Sequence, residues 1–236
     1  MQEWGAFHPS SPWPADAVLV AMAELSTRLD RMRNLAEASS AVAECLVDRL
    51  GVDLAGVTQR LPGGVAGRLA ITDDVLTELD TAAVRLGQGP GSFALHEGAV
   101  ITVGDTRDDR RWPVWSAEAA ERGVLSACLV GMPPMDGGPV SLDLFSRRTD
   151  AFADDELAGL MIFGRLAGVA LRQIERRTNL EQALTTRDLI GRAQGIIMER
   201  YDLTSDQAMD YLRRSSQDAQ EKIHQIARRL VTRADG

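Results

Sequence analysis

The chain has 236 residues, of which 44% are hydrophobic and 25% charged, with a formal net charge of −8. That balance suits a soluble globular protein built as one medium domain plus a small one, or as one large domain. No uninterrupted apolar run of about 18 residues occurs, and the opening MQEWGAFHPSSPWP has no charged segment leading into an apolar core. Neither a membrane span nor a signal peptide is therefore expected, and the expected location is the cytoplasm. Cys45 and Cys128 are far apart and sit in apolar surroundings, so buried free thiols are expected in a reducing compartment. The charge is uneven: residues 176–236 hold 11 Lys and Arg against 9 Asp and Glu, a net +2, which leaves −10 for residues 1–175. Nucleic acid could be bound through the tail alone, and a net +2 would need two copies or specific loop contacts.

In chain order, residues 1–14 place Trp4, Phe7 and Trp13 among three prolines and two serines and read as an irregular arm. A helical pattern runs from about Asp16 to Leu50. Val18, Met22 and Leu25 share one face, Leu35, Val42, Cys45, Leu46 and Leu50 continue it after a break near Arg33-Asn34, and Gly51 closes it as a left-handed cap. Five strands are predicted at Leu54–Gln59, Arg68–Thr72, Ala99–Asp105, Ala127–Pro133 and Pro139–Ser146. Val140, Leu142 and Leu144 alternate with Ser141 and Asp143, which predicts one buried face and one wet face for the last strand. Pro62-Gly63-Gly64 is a turn signal, and Met135-Asp136-Gly137-Gly138 makes a hairpin of the last two strands. Helices are predicted at Asp74–Leu86, stopped by Gly87, and at Ser116–Arg122. Helices inserted among antiparallel strands argue for an α+β fold rather than a parallel nucleotide-binding sheet.

Several elements of this region form a pattern: Gly87-Gln88-Gly89-Pro90-Gly91, Glu97-Gly98, Val103-x-Asp105, Asp109-Arg110-Arg111-Trp112-Pro113 and Gly123-x-x-Ser126. The pattern resembles the GAF domain, a small-molecule sensing fold, over roughly residues 33–175. The resemblance implies a sensor that takes a small-molecule ligand, whose contacts the sequence leaves unknown. Pro90, Pro113, Trp112 and Trp115 read either as loop and core-edge residues or as ligand contacts. No proline follows Pro139, which permits long helices. Asp154-Asp155-Glu156 puts negative charge at a helix start. The pattern from Leu157 through Leu184 has no internal stop, so one helix is expected to leave the sensor and enter the tail, with an imperfect heptad that suits a homodimer.

The tail from Arg187 to Val231 carries three short amphipathic patterns. Ile190, Ala193 and Ile197 form the first, Ala208 and Leu212 the second, and Ile223, Ile226, Ala227, Leu230 and Val231 the third. Thr204 and Gln207 are spaced as a capping box for the second. Segments this short must bury their stripes on each other as a three-helix bundle. Gly195 reads either as a site of close helix packing or as a gap for a ligand backbone. The residues Arg187, Ile190, Ala193-x-Gly195, Met198, Ala208, Leu212, Ser216-Gln217, Lys222 and Ala227 resemble the ANTAR domain, the RNA-binding module of AmiR- and NasR-type transcription antitermination regulators. Gln194 stands where that family often has Lys, and Gln220 where it usually has Asn.

The expected fold is thus α+β, with a GAF-like antiparallel sheet flanked by helices (residues 15–175) joined by a long helix to a C-terminal three-helix ANTAR-like bundle (176–236). The resemblance implies RNA stem-loops as partners, and the expected RNA-binding residues are Arg192, Gln194, Gly195, Arg200, Ser216, Gln217, Gln220 and Lys222. Ser216 has an alternative reading as a helix cap, Arg213-Arg214 as a solvated charge run, and Tyr201 as packing at the bundle end instead of a base-stacking ring. Catalysis, cofactor and metal are not expected. His8, His96 and His224 are scattered, and CxxC, HExxH, GxSxG and P-loop elements are missing from the sequence. A protein-binding, dimerising adaptor without RNA or ligand remains the rival reading, favoured by the low tail charge and by Gln194 and Gln220.

Overall fold

The computed structural model describes residues 15–61, 66–92, 98–152 and 154–234. The arm at 1–14, the turn at Pro62-Gly63-Gly64 and His96 lie outside the described residues. The chain divides into two compact units, Met1–Arg176 and Arg177–Gly236.

In the first unit, α1 (Ala15–Asp30) and α2 (Leu35–Leu50) are separated at the expected break. Asn34 caps α2 by accepting from the Ala36 and Glu37 N–H groups, and Gly51 closes it at φ 64°. Five strands follow as β1 (Leu54–Arg60), β2 (Ala66–Ile71), β3 (Val100–Val103), β4 (Ser126–Met135) and β5 (Gly138–Ser146). They pair antiparallel in the order β2-β1-β5-β4-β3. α3 (Val75–Leu86) and α4 (Pro113–Glu121) are inserted between strands. The second begins three residues before the expected Ser116, because Pro113 has the fixed φ that suits the first helical position. β4 continues through Pro133 and Pro134, which cannot donate to the ladder, and the register shifts there between Met132 and Met135.

The two faces of the sheet carry different cores. Val57, Leu142 and Val130 lie opposite one another across β1, β5 and β4 and belong to a cluster with α1, α2 and α5 (Asp154–Tyr201). On the other face Leu54, Leu129 and Phe145 pack with Leu76 and Leu79 of α3 and with Trp112, Trp115 and Ala119 at α4. Both faces of β5 are therefore covered, and the expected wet face does not exist: Ser141 and Asp143 are each 3% exposed. The alternation was real but marked polar residues that pair internally. Thr58 Oγ1 donates to Asp143 at 2.5 Å, Ser141 Oγ donates at 2.7 Å, and Arg68 lies 3.5 Å away. Arg68 also donates to the Leu76 carbonyl at 2.6 Å and forms an ion pair with Asp80 of α3, its Nε 2.5 Å from the carboxylate.

α5 runs unbroken for 48 residues, and the boundary between the two units falls inside it. A Cβ at Gly168 would come within 2.6 Å of Pro133 and 3.1 Å of Met132, so glycine is what lets α5 approach β4. By length and composition the stretch Leu157–Tyr201 is apolar enough to cross a membrane. Of its apolar residues Leu160, Phe163, Leu171 and Ile174 are buried in the first core, whereas Met161, Ile162 and Leu166 are exposed.

The second unit packs the end of α5 with α6 (Ser205–Ala219) and α7 (Ile223–Ala234). Ala193, Ile197, Ala208, Leu212, Ile226, Ala227 and Val231 are buried together, the three stripes that the periodicity predicts. Thr204 and Gln207 form the expected capping box at the start of α6. Gln220 ends α6 at φ 53°, in the left-handed region that glycine and asparagine tolerate best.

Two stability predictions follow from this packing. Burial, reinforced by Asp143 and opposed by Arg68, pushes the Asp80 carboxyl from 3.8 up to about 6. The folded protein therefore binds this proton more tightly than the unfolded chain. On this account stability rises as pH falls from about 6 to about 4, by at most about 3 kcal/mol, and Asp80→Asn flattens that rise in urea titrations across the window. Separately, Gln220→Gly relieves the left-handed strain and should stabilise the second unit by about 1 kcal/mol, read from its thermal midpoint.

Candidate nucleic-acid interface

Eight residues were expected to meet RNA, and the structure distributes them over more than one surface. Arg192 and Gly195 are exposed on α5. Gln194 is two residues from Arg192 on a continuous helix, so the two point about 200° apart. Gln194 is half-buried, and its amide donates to the Ser205 carbonyl at 2.7 Å and to its hydroxyl at 2.8 Å, tying α5 to the start of α6. Nothing lies within 4 Å of a Cβ built on Gly195. Close helix packing, the first reading of this glycine, is thereby corrected: it faces open space and leaves the helix backbone accessible. Gly191, one turn earlier, is equally open.

The remaining positions gather at the turn between α6 and α7. Ser216 Oγ donates to the Glu221 carbonyl at 2.5 Å, and the Ser216 carbonyl accepts from Glu221 N–H at 3.1 Å. Gln217 offers its carbonyl to Gln220 N–H at 3.1 Å. The Lys222 N–H donates to Gln225 Oε1 at 3.1 Å, closing the first turn of α7. Ser216 thus serves the end of α6 and the turn, instead of capping α7 as its alternative reading had it. The side chains of Gln217, Gln220 and Lys222 are exposed beside Arg229, which pairs with Glu221 at 3.0 Å. Arg200 is exposed in the last turn of α5.

A feature the sequence reading missed is an open groove of about 750 Å³ along α5, lined by Gln182, Thr186, Arg187, Ile190, Gln194 and Met209 among others. Gln182, Thr186, Ile190 and Gln194 follow an i, i+4, i+8, i+12 stripe, a signal present in the sequence but masked by the stronger apolar one. Arg187 supplies a guanidinium to its rim, and the amides can donate or accept.

The first unit has no reactive thiol to offer. Cys45 donates to the Ala21 carbonyl at 3.6 Å, and burial raises its pKa against the pull of Arg28. Burial pushes the Cys128 thiol up to about 12. Neither is a thiolate at neutral pH, so neither is poised as a nucleophile. Among the described residues, no three His, Cys, Asp or Glu side chains gather as a metal site. Trp112 and Trp115 are core residues, the latter donating to the Leu79 carbonyl at 3.3 Å, and Pro113 opens α4.

Comparison with known proteins separates the two units. The family model of the ANTAR domain matches residues 178–231. Among curated proteins none matches the chain. The photosensory core module of a Stigmatella aurantiaca phytochrome is similar at 13% identity and a TM-score of 0.59, over 88% of this chain and 46% of that one. The GAF domain of a phosphoenolpyruvate-protein phosphotransferase from Coxiella burnetii gives 16% identity and 0.51, over 72% and 98%. A free methionine-R-sulfoxide reductase from Neisseria meningitidis gives 14% and 0.51, over 77% and 98%. At such identities these likenesses speak to fold alone. The chain therefore joins a unit of GAF fold to an ANTAR domain at residues 178–231.

Proposed function

We infer that the protein is a signal-responsive transcription antitermination regulator, in which the ANTAR domain binds RNA stem-loops and the GAF-fold unit senses a signal. The match of residues 178–231 to the ANTAR family carries this reading. It is supported by exposed Arg192, Arg200, Gln217, Gln220 and Lys222 on a bundle held together by its own small core. Unstacked loop bases suit recognition by such amide and guanidinium side chains.

On this reading the protein works in the cytoplasm as a homodimer, and each copy presents one bundle. Two bundles that can reach two loops at once raise effective concentration without any added interaction, and a small-molecule ligand acts by altering whether both can engage. The net +2 of residues 176–236 favours that paired arrangement, because one copy attracts phosphate only weakly. This reading assigns no catalytic step to the chain.

Replacing Arg192 and Lys222 by Gln in the full-length protein should weaken binding to a stem-loop RNA and flatten its salt dependence. The logarithmic slope should fall by about 0.7 for each phosphate that is no longer neutralised. Fluorescence anisotropy at several salt concentrations measures both. An unchanged slope and affinity would remove these two residues from the interface, whereas wild-type protein that ignores a pool of hairpin RNAs would remove the function.

A further inference from the structure

The chain has only two tyrosines, and the fold brings them together. Tyr201, in the last turn of α5, and Tyr211, midway along α6, stack with ring centroids 5.7 Å apart and planes at 29°. Tyr201 is 53% exposed and Tyr211 40% exposed. Neither ring belongs to the apolar cluster that holds the three helices together. Tyr201 thus packs at the end of the bundle, as its alternative reading had it, against a second half-exposed ring.

The cations of this unit divide between those held by a carboxylate and those that are not. Arg213 is engaged by Asp210 at 3.2 Å, and Arg229 by Glu221 at 3.0 Å. Arg200 adjoins Tyr201, and Arg214 lies one turn beyond Tyr211 on the same side of α6. Both guanidiniums are exposed, and among the described residues neither has a carboxylate within ion-pair distance. Asp202 and Asp210 adjoin the two rings in sequence, and Asp210 is engaged by Arg213, so the local charge is mixed. Two solvent-facing aromatic rings with exposed guanidiniums beside them still offer what single-stranded nucleic acid requires: a flat apolar face for a base, and positive charge for the phosphates beside it.

We propose that Tyr201 and Tyr211 form an aromatic platform on which an unpaired base of the RNA loop stacks, with Arg200 and Arg214 meeting the flanking phosphates. The proposal rests on the RNA-binding reading of this unit and adds to it an interaction that tolerates any base, because every base has a π-face. Sequence preference would then come from the amide side chains and not from the platform.

The test uses full-length protein carrying Tyr201→Leu, Tyr211→Leu or the matching Phe substitutions, titrated against stem-loop RNAs whose loops contain 2-aminopurine. Wild type and the Phe variants are expected to quench the probe. Each Leu variant is expected to lose the quench and to bind roughly tenfold more weakly or worse, with the salt slope kept, since every cation that meets a phosphate is still present. Circular dichroism of the Leu variants should match wild type, because neither ring is core; a variant that unfolds overturns the claim that the rings are spare. Leu variants that quench and bind like wild type overturn the platform and leave RNA binding intact. Wild-type protein that binds no stem-loop overturns both. Variants that keep the quench but lose self-association assign the pair to a protein interface, which also overturns the proposal.

Discussion

One helix has to satisfy two cores, and the rest of the architecture follows from that constraint. α5 buries Leu160, Phe163, Ala167, Leu171 and Ile174 in the first core and Ala193 and Ile197 in the second. From residue 176 to residue 192 no side chain of α5 is buried. A free peptide of that length would be a marginal helix in water. Here both ends are nucleated by packing, and the intervening segment needs only to propagate, which its residues do because none is proline and its Gly191 is solitary. Bending between residues 179 and 185, where every side chain is exposed, costs no buried area in either core, whereas Leu189 and Ile190 are partly buried against the second.

The sheet unit solves a second problem, a charge in the centre of a covered strand. Asp143 sits on β5, with β1 and β4 on either side and helices over both faces. Isolated burial of a carboxylate is costly, and removing one member of such a network is more damaging than its net contribution suggests. Thr58, Ser141 and Arg68 answer that cost, and Arg68 in turn is held by Asp80 and the Leu76 carbonyl. The network thereby couples three strands to α3, on the side of the sheet opposite α1, α2 and α5. Within this cluster the Asp80 carboxyl is the group whose protonation burial favours.

The ANTAR domain has a small core, so its turns matter in proportion. The residues expected to meet RNA divide between two jobs. Gln194 anchors α6 through Ser205, and Ser216 and Gln220 shape the end of α6. Arg192, Gly195, Arg200 and Lys222 face solvent. The Gln220 departure acquires a backbone explanation: at positive φ, asparagine and glycine are preferred for conformational reasons irrespective of any hydrogen bond to a ligand. The Gln194 departure replaces a charge with an amide that reaches a partner inside the domain.

Local signals were sufficient wherever the determining physics is local. Asn34 and Gly51 at the ends of α2, the Thr204–Gln207 box, the Asp136–Gly137 hairpin and the uninterrupted α5 could all be read from residue types and spacing, because caps, turns and helix propagation depend on neighbours within a few positions. Tertiary structure decided what depends on residues distant in the chain. It covered the second face of β5, so that Ser141 and Asp143 became interior. It carried β4 across two prolines, moved Gly195 out of any helix packing and brought Tyr201 beside Tyr211. A hydrophobic stripe states that a face is buried but not against what, and a polar residue does not declare whether its partner is water or an arginine 75 positions away, as Arg68 is from Asp143.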